Sequence, residues 1–458
     1  MSTLKKDDVF YFGSTSFSFE TEKEKLQQRI KNLLLLNNVN FLFGNGASMP
    51  LGAPIISDSK KCVEVIYAKT NDEIDILVGI WKKIKSLEDF DNGIAALNAI
   101  ISIPEFNIDM ESFLNTLIQY HSIASREPFQ YESISICGDD FETRHIEAAI
   151  TILKAYLFYT CKSFLDRIPA TTNKLRTHKE FLRRALLRPV TLPRVKIFTT
   201  NYDLIFERCM DELGITYFDG FIGGYQKRLR PESYHYDLYY PGETTEGKVN
   251  RVDRVMQLYK LHGSINWTKV EESAENIFGI KQELPKPNKI GELMIYPSTL
   301  KYGETLGFPY TEMFRNFSSS LFKPQTVLFT FGYGFRDDHI NRLIYQALSI
   351  PTFNLVIVLP EGDENPEIKR LIESVSIKRI LIIQGGKICP KCHHLKGIGT
   401  LSGFVKEVLP DMEEMKTYEK INEEIQRLFS KTTKASPENS EKAEKNGDEN
   451  DWCCDYHK

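Results

Sequence analysis

Near-continuous apolar runs recur along this sequence, and they are the feature that most constrains its fold. Strands with helices on both faces read as such runs, because neither face of a doubly wound parallel sheet meets water. Helical segments fall between some of the runs, and this alternation predicts an α/β fold with a doubly wound parallel sheet. The predicted core strands are residues 39–43, 195–198, 256–261, 293–296, 327–331, 355–359 and 380–383, and the clearest intervening helices are residues 204–213 and 339–348.

A long stretch between the first two predicted strands has almost no strand signal. Residues 58–189 carry apolar side chains at helical spacing instead, which predicts a large helical insertion in the sheet domain. We expect an N-terminal extension at residues 1–29, the sheet domain at residues 30–385, a CxxC segment with a helix at residues 386–430, and a disordered tail at residues 431–458. The tail is rich in Lys, Glu, Asn and Ser and has no apolar periodicity, which predicts its disorder.

Composition and charge exclude several classes of protein. The chain has 458 residues, of which 41% are hydrophobic and 26% charged, as is ordinary for a globular protein. Its formal net charge of −4 offers no general attraction to nucleic acid, so no direct nucleic-acid binding is expected. No apolar segment near the N-terminus is long enough for a secretory signal or a membrane span. The 8 cysteines are scattered, which disfavours a disulfide scaffold and favours a cytoplasmic location.

A glycine turn follows the first predicted strand, as in Rossmann-like folds that bind dinucleotides. Glycines there let the backbone approach a pyrophosphate, and a helix that starts behind the turn favours the negative charge. Met49 occupies the place of the third glycine of the usual dinucleotide fingerprint, which disfavours an ordinary NAD dehydrogenase. A tight strand-to-helix turn without a ligand fits the same residues equally well. The candidate nucleotide-binding residues of this turn are Gly44, Asn45, Gly46, Ala47 and Ser48.

Polar side chains follow two more predicted strands. Thr199, Asn201 and Asp203 come after one of them, and His262 follows another. The carboxyl ends of parallel strands border the ligand crevice of an open α/β sheet, so these side chains are candidates for ligand contact. An imidazole can accept a proton near neutral pH, as a general base must. The alternatives are helix capping by Asn201 or Asp203 and a structural role for the histidine.

A second glycine loop, with Gly332, Tyr333 and Gly334, follows the strand at residues 327–331. It predicts either a second close approach of the backbone to a nucleotide or an ordinary strand-to-helix turn. His339 comes later, where a helix is expected to begin, and we predict that it packs or caps rather than takes part in catalysis.

One CxxC pair, Cys389 and Cys392, is followed by two histidines and resembles half of a zinc site. Two thiolates and an imidazole would supply three of the usual ligands of a tetrahedral zinc ion. The sequence has no second CxxC pair, so we predict no metal site.

Taken together, these residues resemble the sirtuin superfamily, and within it the bacterial sirtuin-like NADases of anti-phage defence rather than the protein deacetylases. The first glycine turn resembles the family's Gly-Ala-Gly-x-Ser turn, with Asn45 in place of alanine. Residues 110–114 and 295–301 also resemble stretches of the defence branch. The residues that match the family's Thr-x-Asn-x-Asp motif, its general-base histidine and its nucleotide loop are Thr199, Asn201, Asp203, His262, Gly332, Tyr333, Gly334 and Phe335.

The resemblance implies that the chain cleaves NAD at the nicotinamide–ribose bond and releases nicotinamide and ADP-ribose. Asn201 would orient water and the ribose hydroxyls, His262 would accept a proton, and Asp203 would orient the site. Deacetylases carry a zinc module of two CxxC pairs, but this chain has no cysteine between Cys209 and Cys389. NAD is therefore expected as the substrate, with no metal required. A non-catalytic subunit that binds NAD or ADP-ribose is the alternative.

The resemblance further implies a homo-oligomeric effector of abortive infection. An NADase that is always active would starve its own host, and the sequence shows neither a P-loop nor a repeat array that could sense infection. Sensing would then come from a partner protein, such as a HerA-class ATPase or another phage sensor, or from assembly through the helical insertion.

Overall fold

The computed structural model of the chain contains one large, mostly parallel sheet with helices on both of its faces. No helix among the described residues is long and apolar enough to cross a membrane. The structure describes residues 8–13, 15–53, 87–102, 114, 117–119, 121–122, 133–169, 173–245, 248–274, 276–284, 309–360, 365–374, 378–388 and 395–410.

Strands and helices alternate through most of the described residues. The strands are, in chain order, β1 (Val9–Phe12), β2 (Thr15–Ser18), β3 (Asn38–Phe43), β4 (Ser133–Ile136), β5 (Asp139–Glu142), β6 (Lys196–Thr199), β7 (Thr216–Phe218), β8 (Phe221–Ile222), β9 (Lys227–Leu229), β10 (Tyr239–Thr245), β11 (Lys248–Arg251), β12 (Val255–Lys260), β13 (Trp267–Lys269), β14 (Ile280–Gln282), β15 (Thr326–Phe331), β16 (Phe353–Leu359), β17 (Ile380–Gln384), β18 (Lys387–Ile388) and β19 (Leu395–Lys396). The α-helices are α1 (Phe19–Leu34), α2 (Leu87–Ile101), α3 (Thr143–Asp166), α4 (Arg176–Ala185), α5 (Ile205–Leu213), α6 (Tyr310–Leu321), α7 (Asp338–Ala347), α8 (Pro366–Ser374) and α9 (Leu401–Gly403).

The main sheet has nine strands in the described residues, in the order β2-β1-β17-β16-β15-β3-β6-β12-β7. All neighbours from β17 to β7 pair in parallel. The chain builds outward from β3 through β6 to β12 on one side and through β15 to β17 on the other, so the strand order reverses between β15 and β3. Ligands of open α/β sheets bind at such a reversal, outside the carboxyl ends of the strands. The predicted doubly wound, mostly parallel fold is confirmed.

The core elements lie where the hydrophobic pattern predicts them. The strand predicted at residues 195–198 is Lys196–Thr199 in the structure, and the helix predicted at residues 204–213 is Ile205–Leu213. Strands buried on both faces leave a continuous apolar run, which is the least ambiguous strand signal in this chain. The strand predicted at residues 293–296, the C-terminal helix and the tail fall outside the described residues.

Two strand pairs were not predicted. β1 pairs antiparallel with β17 and β2 folds back on β1, so part of the expected N-terminal extension forms an edge of the main sheet. β4 and β5 form a hairpin within residues 58–189, where only helices were predicted. The hairpin turns at Cys137 and Gly138, which have φ angles of 55° and 94°. Such a two-residue turn needs positive φ at both positions. Asn, Asp or Gly usually precedes the glycine, so Cys137 does not mark the turn in the sequence.

Both faces of the main sheet are buried in apolar cores. Phe41 on β3 stacks with Phe329 on β15, with ring centroids 5.1 Å apart, and meets Phe181 of α4 edge-on at 4.9 Å. Leu42, the next residue of β3, belongs to the core on the opposite face. This alternation along one strand accounts for the continuous apolar run in the sequence.

The insertion encloses a core of its own, formed mainly by α2 and α3. That core also includes Tyr202 and Ile265, which lie in the loops after β6 and β12. The insertion therefore packs against the carboxyl edge of the main sheet, where a ligand of this fold is expected.

His178 is a buried histidine with no hydrogen-bond partner for either ring nitrogen among the described residues. It lies on α4, is 3% exposed, and its ring meets Phe206 edge-on at 5.7 Å. Burial lowers the pKa of His178 from its ordinary 6.5 to about 4, although the charge of Asp203 acts in the opposite direction. The folded protein therefore keeps this imidazole neutral.

We predict that His178 makes the fold lose stability as the pH falls from 6.5 to about 4. In this range the unfolded chain takes up a proton that the folded chain does not bind, so each pH unit removes up to about 1.4 kcal/mol from the free energy of unfolding. Urea unfolding of the wild type and of His178→Leu at several pH values measures the effect. The wild type should lose more stability than the variant, and equal losses would contradict the assignment.

Candidate functional site

Four loops meet at the carboxyl edge of the sheet, beside the reversal of strand order. They follow β15, β3, β6 and β12, which are consecutive neighbours in the sheet. These loops, together with Thr199 at the end of β6, carry the residues that the sequence singled out for NAD binding and cleavage. Side-chain hydrogen bonds join them in two groups, one around Asn201 and one around His262.

The two glycine loops pack backbone against backbone. The N–H of Gly44 donates to Phe331 O at 2.9 Å, and that of Gly46 donates to Gly332 O at 3.0 Å. Gly332 has a φ of +58°, and a Cβ there would lie 2.2 Å from the backbone N of Ala47. A Cβ on Gly44 would lie 2.6 Å from Gly332 O. The contact between the loops therefore requires these glycines, whatever ligand the loops bind.

Gly334 is different, because packing against the described residues does not require a glycine there. It is exposed, and the nearest described atoms to a Cβ built on it belong to the Arg336 side chain, at 3.9 Å. Its carbonyl oxygen accepts a hydrogen bond from Asn365 Nδ2 at 2.8 Å, which fixes the backbone here. Of the residues in the second glycine loop, Gly334 is therefore the one at which a nucleotide could come closest to the backbone, as the sequence predicts.

The first glycine turn does not lead directly into an α-helix, and this sequence prediction is wrong in the described residues. Two short 3₁₀ turns follow instead, Asn45–Ala47 and Met49–Leu51. Gly52 ends the second turn with a φ of +93°, a left-handed conformation that interrupts a right-handed helix. No α-helix therefore directs its N-terminus at the turn from the described residues up to Ala53.

Asn201 ties the loop after β6 to the first glycine turn. Its backbone N–H donates to Thr199 Oγ1 at 3.0 Å, and its side-chain Nδ2 donates to Gly44 O at 3.2 Å and Ser48 Oγ at 3.1 Å. Thr199 Oγ1 in turn donates to Phe43 O at 3.1 Å. The Asn201 Oδ1 atom is buried and has no hydrogen-bond partner in the described part of the chain. A buried acceptor of this kind is suited to a ligand hydroxyl or a water molecule.

Asp203 is held through both of its carboxylate oxygens. Ser48 Oγ donates to Oδ2 at 2.9 Å, and the backbone N–H of Ile205 donates to Oδ1 at 3.1 Å. The second bond satisfies a backbone donor at the start of α5, so the capping role that was considered for Asp203 is present. The first bond adds Asp203 to the network of Ser48 and Asn201, where it positions the serine.

A buried lysine links this network to the strand before His262. Lys260, at the end of β12, is 2% exposed, forms an ion pair with Glu207 at 3.1 Å and donates to the backbone oxygen of Asp203. Burial raises the pKa of Glu207, and the positive charge of Lys260 opposes that shift. Sequence reasoning missed this pair, although a single lysine inside an apolar run was its signal. The pair fixes the loop after β6 against the end of β12.

His262 is oriented by a carboxylate that the sequence analysis did not select. Its Nε2 lies 2.8 Å from Asp337 Oδ2, and both side chains are buried. The other oxygen, Oδ1, accepts hydrogen bonds from the backbone N–H groups of His339 at 3.1 Å and Ile340 at 3.4 Å, at the start of α7. The helix thus fixes the carboxylate, and the carboxylate fixes the imidazole. Because Nε2 is engaged, Nδ1 is the nitrogen left for proton exchange with a ligand.

The Tyr333 side chain stabilises the second glycine loop. Its hydroxyl donates to Asn341 Oδ1 at 2.8 Å, and its ring centroid lies 4.9 Å from that of Phe335. Asn341 Nδ2 donates back to Phe335 O at 2.8 Å. These contacts hold the loop on α7 and so keep Asp337 within reach of His262.

Some predicted features fall outside the described residues. Cys389 and Cys392 do so, as do residues 110–113 and 295–301. Among the residues that the structure does describe, no group of three or more His, Cys, Asp or Glu side chains is arranged to hold a metal ion.

Residues 195–380 match the family model of the SIR2-like domain. This match supports membership of the sirtuin superfamily. The SIR2-like segment, residues 195–380, includes the loops after β6, β12 and β15, with Asn201, His262 and Asp337. The first glycine turn precedes the matched segment, but the contact with Gly332 joins it to the site.

The chain is also similar to a solved structure, a mutant Sir2 homologue in complex with 2′-O-acetyl ADP ribose. The two sequences are 11% identical, the alignment covers 76% of this chain and 96% of that chain, and the TM-score is 0.32. No curated protein matches the chain. The assignment to the superfamily therefore rests on the SIR2-like segment.

Proposed function

We propose that this chain hydrolyses NAD at the bond between nicotinamide and ribose. The observation that carries the proposal is the pairing of His262 with Asp337 at 2.8 Å at the carboxyl edge of the sheet. The same edge carries Asn201, whose buried Oδ1 has no hydrogen-bond partner among the described residues. The match of residues 195–380 to the SIR2-like domain supports NAD as the ligand of this edge.

The reaction needs little more than orientation and one proton acceptor. Nicotinamide carries a positive charge in NAD, so its departure leaves oxocarbenium character on the ribose, which water then attacks. Asn201 Oδ1 would accept a hydrogen bond from that water or from a ribose hydroxyl, and His262 would accept the proton that is released. Asp337 would stabilise the imidazolium that forms. The water adds its oxygen to the anomeric carbon, and the products are nicotinamide, ADP-ribose and a proton.

In this proposal the remaining predicted residues hold the reacting groups and the dinucleotide in place. Asp203 holds Ser48, and Ser48 together with Gly44 holds Asn201, so the amide cannot turn freely. The exposed backbone at Gly334 provides the surface for the dinucleotide. No metal takes part, and NAD is the substrate rather than a resident cofactor.

The biological role that we propose is that of an effector in anti-phage abortive infection, in which loss of NAD stops the infected cell. This part rests on the resemblance of the site motifs to sirtuin-like NADases of defence systems. The alternative is a sensor or scaffold subunit that binds NAD or ADP-ribose without turnover.

We predict that Asn201→Ala and His262→Ala each reduce NAD hydrolysis by about 10²–10⁴-fold, as expected for the loss of an orienting group or a general base. Nicotinamide and ADP-ribose release by the purified chain measures the activity. Asn32→Ala, an exposed asparagine of α1, is the matched control and should keep wild-type activity. Folded variants of Asn201 and His262 with near-wild-type turnover would refute the site, whereas NAD binding without turnover in the wild type would favour the sensor alternative.

We predict that Asp337→Asn lowers kcat by about 10–100-fold with little change in KM, as is typical when the partner of a functional imidazole is lost. Asparagine can still cap α7, so the fold should be kept. The neighbouring, exposed Asp338→Asn is the control and should leave both constants unchanged. Equal effects of the two substitutions, or a change in KM alone, would show that Asp337 does not position His262.

We further propose that the chain forms a homo-oligomer and that a partner, such as a HerA-class ATPase or another phage sensor, controls its activity. The insertion packs on the loops after β6 and β12, so contacts made by the insertion can reach the site. Light scattering of the purified chain, with NAD turnover measured with and without a partner, tests this. A monomer that consumes NAD at full rate alone would refute the regulation and leave the chemistry intact.

A further inference from the structure

A second cavity lies at the opposite, amino-terminal end of the parallel strands. We call it the amino-end cavity. It has a volume of about 310 Å³ and is lined by residues that include Asn40, Lys196, Tyr236, Tyr239, Gln257 and Lys323. Ligand sites for small molecules begin at about 300 Å³, so this cavity suits a mononucleotide-sized ligand rather than a dinucleotide.

Three polar side chains form a row across the floor of the amino-end cavity. Asn40 on β3 is in register with Lys196 on β6, and Lys196 is in register with Gln257 on β12. Residues in register on neighbouring parallel strands point to the same face of a sheet. Asn40 is 1% exposed and Gln257 8% exposed. A polar row in an otherwise apolar sheet costs stability unless each of its groups finds a partner.

Gln257 Nε2 already donates to Tyr234 O at 2.6 Å, whereas the other two side chains of the row can each take a further acceptor. Asn40 Nδ2 is buried and has no hydrogen-bond partner among the described residues. Lys196 Nζ donates to Ser320 Oγ at 2.8 Å and lies 5.8 Å from the centre of the Tyr259 ring. A ligand with several oxygen acceptors would satisfy both the amide and the ammonium donors.

The charge of the amino-end cavity is predominantly positive. Its cationic lining residues are Arg194, Lys196, Arg251 and Lys323, and its carboxylate is Asp237. Both arginines pair with that carboxylate, so among the described residues neither lysine has an acidic partner. Burial and the nearby charge of Lys323 lower the pKa of Lys196 to about 8. Two lysines that repel each other in a cavity are stabilised by a dianion.

We propose that the amino-end cavity binds a phosphate monoester that carries an aromatic ring, the chemistry of a nucleoside monophosphate. A phosphate monoester has a charge of about −1.5 to −2 at neutral pH, which matches the two lysines. Tyr236 and Tyr239, 47% and 50% exposed, offer aromatic faces on which a base can stack. The site is separate from the carboxyl edge and does not depend on NAD hydrolysis.

Calorimetric titration of the full chain with AMP tests the proposal. AMP should bind, and Lys196→Gln and Lys323→Gln should each weaken binding at least about tenfold, because each removes a charge-assisted contact to phosphate. Lys25→Gln is the control, since this lysine lies over the Phe17 ring at the far edge of the sheet. Asn201→Ala should leave AMP affinity unchanged, which separates this cavity from the NAD site.

Related ligands separate the two parts of the proposed chemistry. Adenosine and inorganic phosphate should each bind more weakly than AMP, and adenosine should be insensitive to the lysine substitutions. Adenosine as tight as AMP would overturn the phosphate contact, and ribose 5-phosphate as tight as AMP would overturn the aromatic contact. Lys323 is exposed, so Lys323→Gln carries the test if Lys196→Gln does not fold. No AMP binding, or binding that both lysine variants retain in full, would overturn the proposal.

Discussion

The backbone contact between the two glycine loops is the constraint on which the site depends. The loops after β3 and β15 come within hydrogen-bond distance of each other, at 2.9 and 3.0 Å, and no side chain fits between them. This contact fixes Ser48 on one side, where it meets Asn201, and fixes the start of α7 on the other, where Asp337 meets His262. A larger residue at Gly332 would therefore disturb both halves of the site at once.

Some polar residues of the site position their neighbours, and others are left to contact the substrate. Thr199, Ser48 and Asp203 have their hydrogen bonds satisfied within the protein, so they hold geometry rather than wait for substrate. Among the described residues, Asn201 Oδ1 has no hydrogen-bond partner. His262 uses Nε2 to bind Asp337, which leaves Nδ1 for a ligand. Leaving a buried acceptor unpaired costs about 1–3 kcal/mol, which a binding site can recover when the ligand arrives.

The sequence was informative where local pattern determines structure and uninformative where distant residues meet. Apolar runs predicted the core strands, and strand ends then predicted that Asn201 and His262 would share one edge. Asp337 was missed because its partner, His262, lies in the loop after a different strand, and only its place before a helix, as a capping aspartate, marked it. β1 and β2 were missed because each is only four residues long and most of their residues are not buried. In the described residues up to Ala53, the helix expected directly after the first glycine turn is replaced by two 3₁₀ turns, because Gly52 takes a left-handed conformation.

The antiparallel pairing of β1 with β17 has a consequence for how the chain comes together during translation. Val9 pairs in register with Gln384, so β1 leaves the ribosome long before its partner strand β17. β2 can pair with one edge of β1 early, but a nascent chain carries the other edge of β1 unpaired until the SIR2-like segment has been made. Pairings between such distant residues form slowly, and unpaired strands are open to other chains in the meantime. The order of synthesis, rather than the strength of any single contact, thus sets the period in which this fold is most exposed to misassembly.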